Sequence, residues 1–323
     1  MTLEEIKKLP KVELHLHLDG SVNPNLLNEY TNSDVTNEII APAHCLDLKD
    51  YLNRFSLPVS YLQNKTNLEN ACAKLIADLK KDNVIYAEVR FSPLKLMTDN
   101  LTLDDIIITI RDTFKKGNIP INLILCMMRN DSYNDNLKVI ELAKKYLHDG
   151  VCAIDLAGDE ANYPTSLFND LFQIARKENI PFTIHAGEVN NYNSLLDAIK
   201  LLPSRIGHGI CCSKHKDLLD AIKNNNILLE LCPTSNVQTN AITSYDKHPI
   251  KMLAENNILI SINTDNRTVS NITLTEEYYK LVSTFSFTKD DFYKWNLNAI
   301  NYSFASISLK EELKKKLNEN YKW

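Results

Sequence analysis

About eight times over, a short apolar or β-branched run that ends in turn-forming residues is followed by a longer stretch with apolar residues at intervals of three and four. The runs are VELHLHLDG, VIYAEVRFSP, INLILCMM, VCAIDLAGDE, PFTIHAGE, SRIGHG, ILLELCPTSN and ILISINTD. Each has the character of a strand. Helices are expected at 67–82, 103–116, 136–148, 167–178, 194–202 and 217–225. A parallel connection needs a crossover long enough to hold a helix, so this alternation builds a parallel sheet. Eight units fit an α/β fold of the closed (β/α)8 barrel type better than an open sheet, and no GxGxxG or phosphate-binding glycine loop points to the commonest open-sheet functions. With no linker, repeat or low-complexity segment, the expectation is one domain over residues 1–323. The segment 21–68 is longer than one crossover requires. It is expected to form extra helices over the C-terminal mouth of the barrel, with Leu52, Phe55 and Leu57 placed to cap a ligand.

Composition removes several classes of function. A hydrophobic fraction of 44% with 24% charged residues is that of a soluble globular protein, and a net charge of -5 offers no basic surface for nucleic acid. No run of eighteen apolar residues could span a membrane. The opening MTLEEIKKLPK has no apolar core of a secretory signal, and Thr2 with Glu5 reads as a capping box. Seven cysteines without regular spacing or a Cys-x-x-Cys pair argue against a disulfide framework and for a reducing, cytoplasmic setting.

Strand side chains alternate, so VELHLHLDG has Leu14, Leu16 and Leu18 on one side and Glu13, His15, His17 and Asp19 on the other. In a barrel the leucines would face the surrounding helices. The imidazoles would then face the interior near the carboxyl end of the strand, where barrel enzymes carry their chemistry. Four of the eight histidines, His15, His17, His185 and His208, fall at such strand ends, and five of the seven glycines lie beside them. A single histidine there would mean little; four on one rim imply a site.

Two imidazoles two residues apart on a strand can reach one ion at about 2.0–2.1 Å. His185 and the carboxylate of Asp265 would complete a nitrogen-rich site that suits zinc best, with iron, manganese or cobalt chemically possible. Such a site leaves a position for water and lowers its pKa toward about 7. Glu188, three residues beyond His185, is the natural proton carrier, and His208 can hold the hydroxide or stabilise charge developing on it.

The motifs HLHLDG, LAGDE, HAGE, GHG and NTDN, in this order, closely resemble the adenosine deaminase branch of the amidohydrolase superfamily, and the resemblance extends from Lys11 to FTKDDFYKWNLNAINYSF. It implies one zinc per chain on His15, His17, His185 and Asp265, with Glu188 protonating purine N1 and His208 orienting the hydroxide. It also implies a purine nucleoside held by His17, Asp19 at the ribose, the N–H of Gly158 at N3, and Asn266 at N7. The animal form of the pattern has a second aspartate where this chain has Asn266. Purine N7 only accepts, and an amide donates at any pH, so the contact is kept.

The expected reaction is hydrolytic deamination of adenosine and 2′-deoxyadenosine in purine salvage. A deaminase of adenine or of another 6-amino purine nucleoside is the nearest alternative, and LAGDE with Asp19 favours a nucleoside. Binuclear hydrolases also begin with His-x-His, but they usually carry a bridging lysine on the fourth strand, and VCAIDLAGDE has none. The number of assembling chains is left open by these residues.

Overall fold

In the computed structural model, which describes residues 1–321, each of the eight runs contains a strand. They are β1 (Lys11–His17), β2 (Val84–Phe91), β3 (Ile121–Met128), β4 (Val151–Ala157), β5 (Thr183–Ala186), β6 (Arg205–His208), β7 (Leu228–Leu231) and β8 (Ile260–Ile262). They pair in parallel in chain order, β1 to β4 in one sheet and β5 to β8 in another.

Two seams close the sheets into a barrel. At one, the Ile154 N–H donates to the Pro181 carbonyl at 3.0 Å. At the other, the Asp265 N–H donates to the His15 carbonyl at 3.0 Å and the His17 N–H to the Asp265 carbonyl at 2.8 Å. This second seam lays Asp265, three residues beyond the end of β8, against both histidines of β1.

The expected helices form within a few residues of their anticipated bounds, and local caps set the differences. Asn64 accepts from the Asn67 N–H at 3.2 Å and starts the helix Lys65–Lys81 early. Ser132 does the same for Tyr133–Tyr146 through the Asp135 N–H at 3.1 Å. Thr2 and Glu5 do form a capping box. The run ILLELCPTSN is not one strand: Pro233 ends it and opens a short helix, Pro233–Gln238. One continuous core of buried side chains lies between the strands and the helices, with Leu14, Leu16 and Leu18 in it as expected.

The inside of the barrel is charged. Arg90, Arg205, Glu88, Asp155 and Glu230 are all fully buried. Arg90 bridges Asp155 at 2.8 Å and Glu230 at 2.9 Å, and Arg205 bonds Glu88 at 2.6 Å and the other oxygen of Glu230 at 2.5 Å. At the amino-terminal end of β6 the Phe304 ring lies 4.0 Å from the Arg205 guanidinium, and the Tyr302 carbonyl accepts from Arg205 at 2.9 Å. Buried charges persist only when paired in this way.

Glu13 departs from the strict alternation. The register runs from Glu13 opposite Ala87 to Leu16 opposite Val89, so β1 holds one residue more than β2 over this stretch. The irregularity separates Glu13 from the histidines, and it pairs with Arg267 at 3.0 Å. Arg267 in turn reaches Asp82 at 2.7 Å, whose carboxylate also accepts the Leu274 and Thr275 N–H groups at 2.8 and 3.0 Å. This cluster ties the loop after β8 to the start of the helix Leu274–Phe285.

The segment 21–68 forms helices Pro24–Thr31, Thr36–Ile39, Leu48–Leu52 and Ser56–Leu62. Leu52 and Phe55 line the pocket beneath, as expected, but Leu57 packs against the core instead. Replacing Asp82→Ala leaves the Arg267 guanidinium and two helix N–H groups without their partner. The variant is expected to lose about 3–5 kcal/mol of stability, read as a lower urea midpoint at unchanged slope. A midpoint equal to the parent's would show that the cluster does not hold the loop.

Candidate metal and catalytic centre

Where the strands end at the mouth, their last side chains surround a cavity of about 460 Å³. Its floor is polar, with His17, Asp19, His185, Glu188, His208 and Asp265; its roof, from the segment 21–68, is largely apolar. His15 is completely buried behind the floor.

The imidazoles are aimed by carboxylates below them. Glu230 Oε2 lies 2.9 Å from His15 Nδ1, and Asp155 Oδ2 lies 2.8 Å from His185 Nδ1. The hydrogen bond to Glu230 keeps the His15 proton on Nδ1, and the charge of Asp155 favours the same for His185, which leaves Nε2 of each as the lone-pair side. These lone pairs converge. His17 Nε2 is 3.2 Å from His185 Nε2, and Asp265 Oδ1 is 3.3 Å from His15 Nε2 and 3.4 Å from His17 Nε2. Two ligands of one tetrahedral ion at bonding distance stand roughly 3.3 Å apart. His15 Nε2 is buried and has no hydrogen-bond partner, so the four residues fit a cation bonded at their centre.

A second, overlapping quartet replaces His17 and His185 with His208 and Cys232. Burial and the charge of Asp265 push the Cys232 thiol well above its ordinary range, which makes it a poor ligand beside three imidazoles. Asp265 itself is held by Ser235, whose hydroxyl donates to Oδ2 at 2.6 Å.

His208 and Asp265 both have left-handed backbones, with φ of 62° at each. Non-glycine residues adopt this region rarely, histidine and aspartate among the more tolerant, and here it turns both side chains into the cavity. Burial, reinforced by the charges of Asp265 and Glu160, raises Glu188 well above the usual carboxylate range, which favours its protonated form. Its Oε2 is 3.8 Å from His208 Nε2. Acid and imidazole thus face the same space. Glu160 fixes the turn that carries Glu188, accepting the Gly187, Glu188 and Val189 N–H groups at 2.7, 3.1 and 3.3 Å.

At the far side, burial pushes the Asp19 carboxyl up to about 6, and its Oδ1 has no partner. Gly158 lines the same cavity with φ of 99°, a conformation suited to glycine. The Asn266 amide donates to the Tyr51 hydroxyl at 3.0 Å, and its Oδ1 has no partner. A Cβ on Gly20 would stand 1.9 Å from that oxygen, so glycine is required for this packing.

All residues expected at the site are therefore brought together. The reading from sequence alone missed Asp155, Glu230, Glu160, Ser235 and Tyr51. The first two carried a signal: each is a charge inside an otherwise apolar strand run. Asp155→Asn would remove the charge that keeps the His185 proton on Nδ1. Metal affinity is expected to fall about 10- to 100-fold, measured by competition with a chromophoric chelator. Unchanged affinity would separate Asp155 from the metal centre.

The family described as adenosine deaminase matches residues 10–320 of the chain. A protein of Clostridium kluyveri named adenosine deaminase is 40% identical over 338 residues, covering 99% of this chain and 96% of that one. Among solved structures, the N6-methyl-AMP deaminase of Arabidopsis thaliana superposes with a TM-score of 0.88 at 24% identity, covering 98% of both chains. The adenine deaminase of Arthrobacter aurescens does so at 0.87 and 22%, covering 96% of this chain and 98% of that one. These last two are similar in fold.

Proposed function

The chain belongs to the adenosine deaminase family, and from that premise we propose that it hydrolyses adenosine and 2′-deoxyadenosine to inosine and 2′-deoxyinosine with release of ammonia. The observation that carries this reading is a buried carboxyl, Glu188, 3.8 Å from His208 and facing the same cavity as three imidazoles and a carboxylate that converge on one point.

One zinc ion on His15, His17, His185 and Asp265 suits the nitrogen-rich donor set and the tetrahedral spacing. Bound there, it supplies the Lewis acidity that makes water nucleophilic at neutral pH. C6 of a 6-aminopurine becomes electrophilic only when N1 takes a proton, and Glu188, whose burial favours its acid form, is placed to give it. As oxygen adds to C6, the C6–N1 π pair moves to N1 and receives the Glu188 proton. The C6–amine bond then breaks. N1 keeps the Glu188 proton; of the two protons that water brings, one leaves on the departing ammonia and the other restores Glu188.

His17, Asp19, Gly158 and Asn266 line the space a purine nucleoside would fill. Asp19 faces the ribose end, the Gly158 N–H serves N3, and the remaining amide hydrogen of Asn266 serves N7. None of these contacts requires the 2′-hydroxyl, which is why both nucleosides are included. The apolar roof excludes water from the base. We assign this activity to a single domain over residues 1–323, acting in purine salvage. Seven free, buried cysteines suit a reducing cytoplasm, and no helix among the described residues is long and apolar enough to cross a membrane.

Absorbance near the adenosine maximum should fall with stoichiometric ammonia release, and chelation should stop both. Glu188→Gln keeps the shape and loses the proton. It is expected to lower kcat by about 10²- to 10⁴-fold with metal content unchanged by atomic spectroscopy. A Gln variant as active as the parent would refute the proton path, and faster turnover of adenine than of adenosine would move the assignment to the free base.

A further inference from the structure

Behind His208 lies a line of buried polar groups that the reaction scheme above does not use. It begins at a donor that has no choice of role. The Ile250 N–H is the first of the helix Ile250–Glu255, where no intrahelical acceptor exists, and it donates to His248 Nδ1 at 3.2 Å. His248 is 3% exposed, and burial lowers it to about 3, so the ring is neutral. With Nδ1 accepting, its only proton is on Nε2.

The next atom along, 3.2 Å from His248 Nε2, must therefore accept, which identifies it as Asn236 Oδ1. The other end of that amide is consequently Nδ2, and it stands 3.1 Å from His208 Nδ1. An amide N–H can face only a lone pair. His208 Nδ1 is thus unprotonated, and its proton sits on Nε2, the atom directed toward Glu188 and the cavity.

Asn236 cannot turn over to offer the reverse arrangement, because that would set its N–H against the Nε2–H of His248. It is completely buried, and its backbone is pinned on both sides: its N–H donates to the Cys232 carbonyl at 2.9 Å, and its carbonyl accepts from the Ile242 N–H at 2.9 Å. Its neighbour Ser235 holds Asp265. One short helix after β7 therefore sets the orientation of two neighbouring groups of the cavity, His208 and Asp265.

We propose that Asn236 and His248 are positioning residues that fix His208 as the Nε2–H tautomer, making it a hydrogen-bond donor to the oxygen that adds at C6. In this form His208 stabilises charge on that oxygen and cannot remove a proton through Nε2. The role of the donor rests on the deaminase reading; the tautomer rests on the hydrogen-bond chain alone.

Nitrogen-15 NMR of the histidine-labelled enzyme, with His208 assigned by loss of its signals in His208→Gln, reads the tautomer without any turnover. A protonated Nε2 and bare Nδ1 are expected; a protonated Nδ1 overturns the proposal. Asn236→Leu, close in size, frees the ring. It is expected to weaken a C6-hydroxylated transition-state analogue and to lower kcat, each by about 100-fold, with KM and inosine affinity held within about threefold. Retained analogue affinity in a folded, metal-loaded variant also overturns it. Should that variant fail to fold, His248→Ala and His248→Gln decide. Glutamine keeps an N–H for Asn236 Oδ1 and should recover most of the kcat that alanine loses; equal loss in both counts against the relay. A correct tautomer in an enzyme that does not deaminate adenosine would retain the hydrogen-bond chain and reject the substrate assignment.

Discussion

Two carboxylates buried under two imidazoles set the terms for everything above them. Glu230 is shared among Arg90, Arg205 and His15, and Asp155 between Arg90 and His185. Burial alone would raise both acids, but the adjoining cations overcome it and hold them far below the usual range. They remain ionised, so Nδ1 of each imidazole keeps its proton and Nε2 is left as a Lewis base. Removing a single guanidinium would expose an unpaired charge in a medium that tolerates none. The charged barrel interior is thus the means by which correctly oriented imidazoles are presented upward.

The upper surface of the site depends on this floor and on a roof of different character. Tyr51 belongs to the roof, yet its hydroxyl lies 2.7 Å from Ser270 and accepts from Asn266, both in the loop after β8. That loop is anchored again below by the Arg267–Asp82–Glu13 cluster. The polar wall and the apolar cover are consequently joined through one segment, and a nucleoside base would lie between them.

Much of this could be read from the chain because the two dominant signals are local. Alternating strands and helices specify the barrel, and the His-x-His spacing on β1 specifies paired imidazoles. Asp265 was expected beside them, but the seam that brings it there was not. What escaped was non-local or irregular. The extra residue between Glu13 and Leu16 leaves no trace in a pattern of perfect alternation, and Leu57 was apolar in the right segment but on the wrong side of its helix. Asn236 follows Cys232-Pro233-Thr234-Ser235 in what looked like a strand end, and His248 sits in a connection with no periodicity at all. Their partners are 28 and 12 residues away in the chain, a distance at which sequence pattern carries no geometric information.

The ring of Phe304 stacked on Arg205 has a bearing on how the molecule is made. From Phe304 through Arg205 and Glu230 to His15, four side chains form an unbroken line of contact between a late part of the chain and one of the earliest. A ribosome releases His15 and His17 well before residues 302–304, so this line of contact is completed only after those residues have emerged. The late residues thereby buttress Arg205 and, through Glu230, the imidazole of His15, so a change at Phe304 would be felt at the floor of the site.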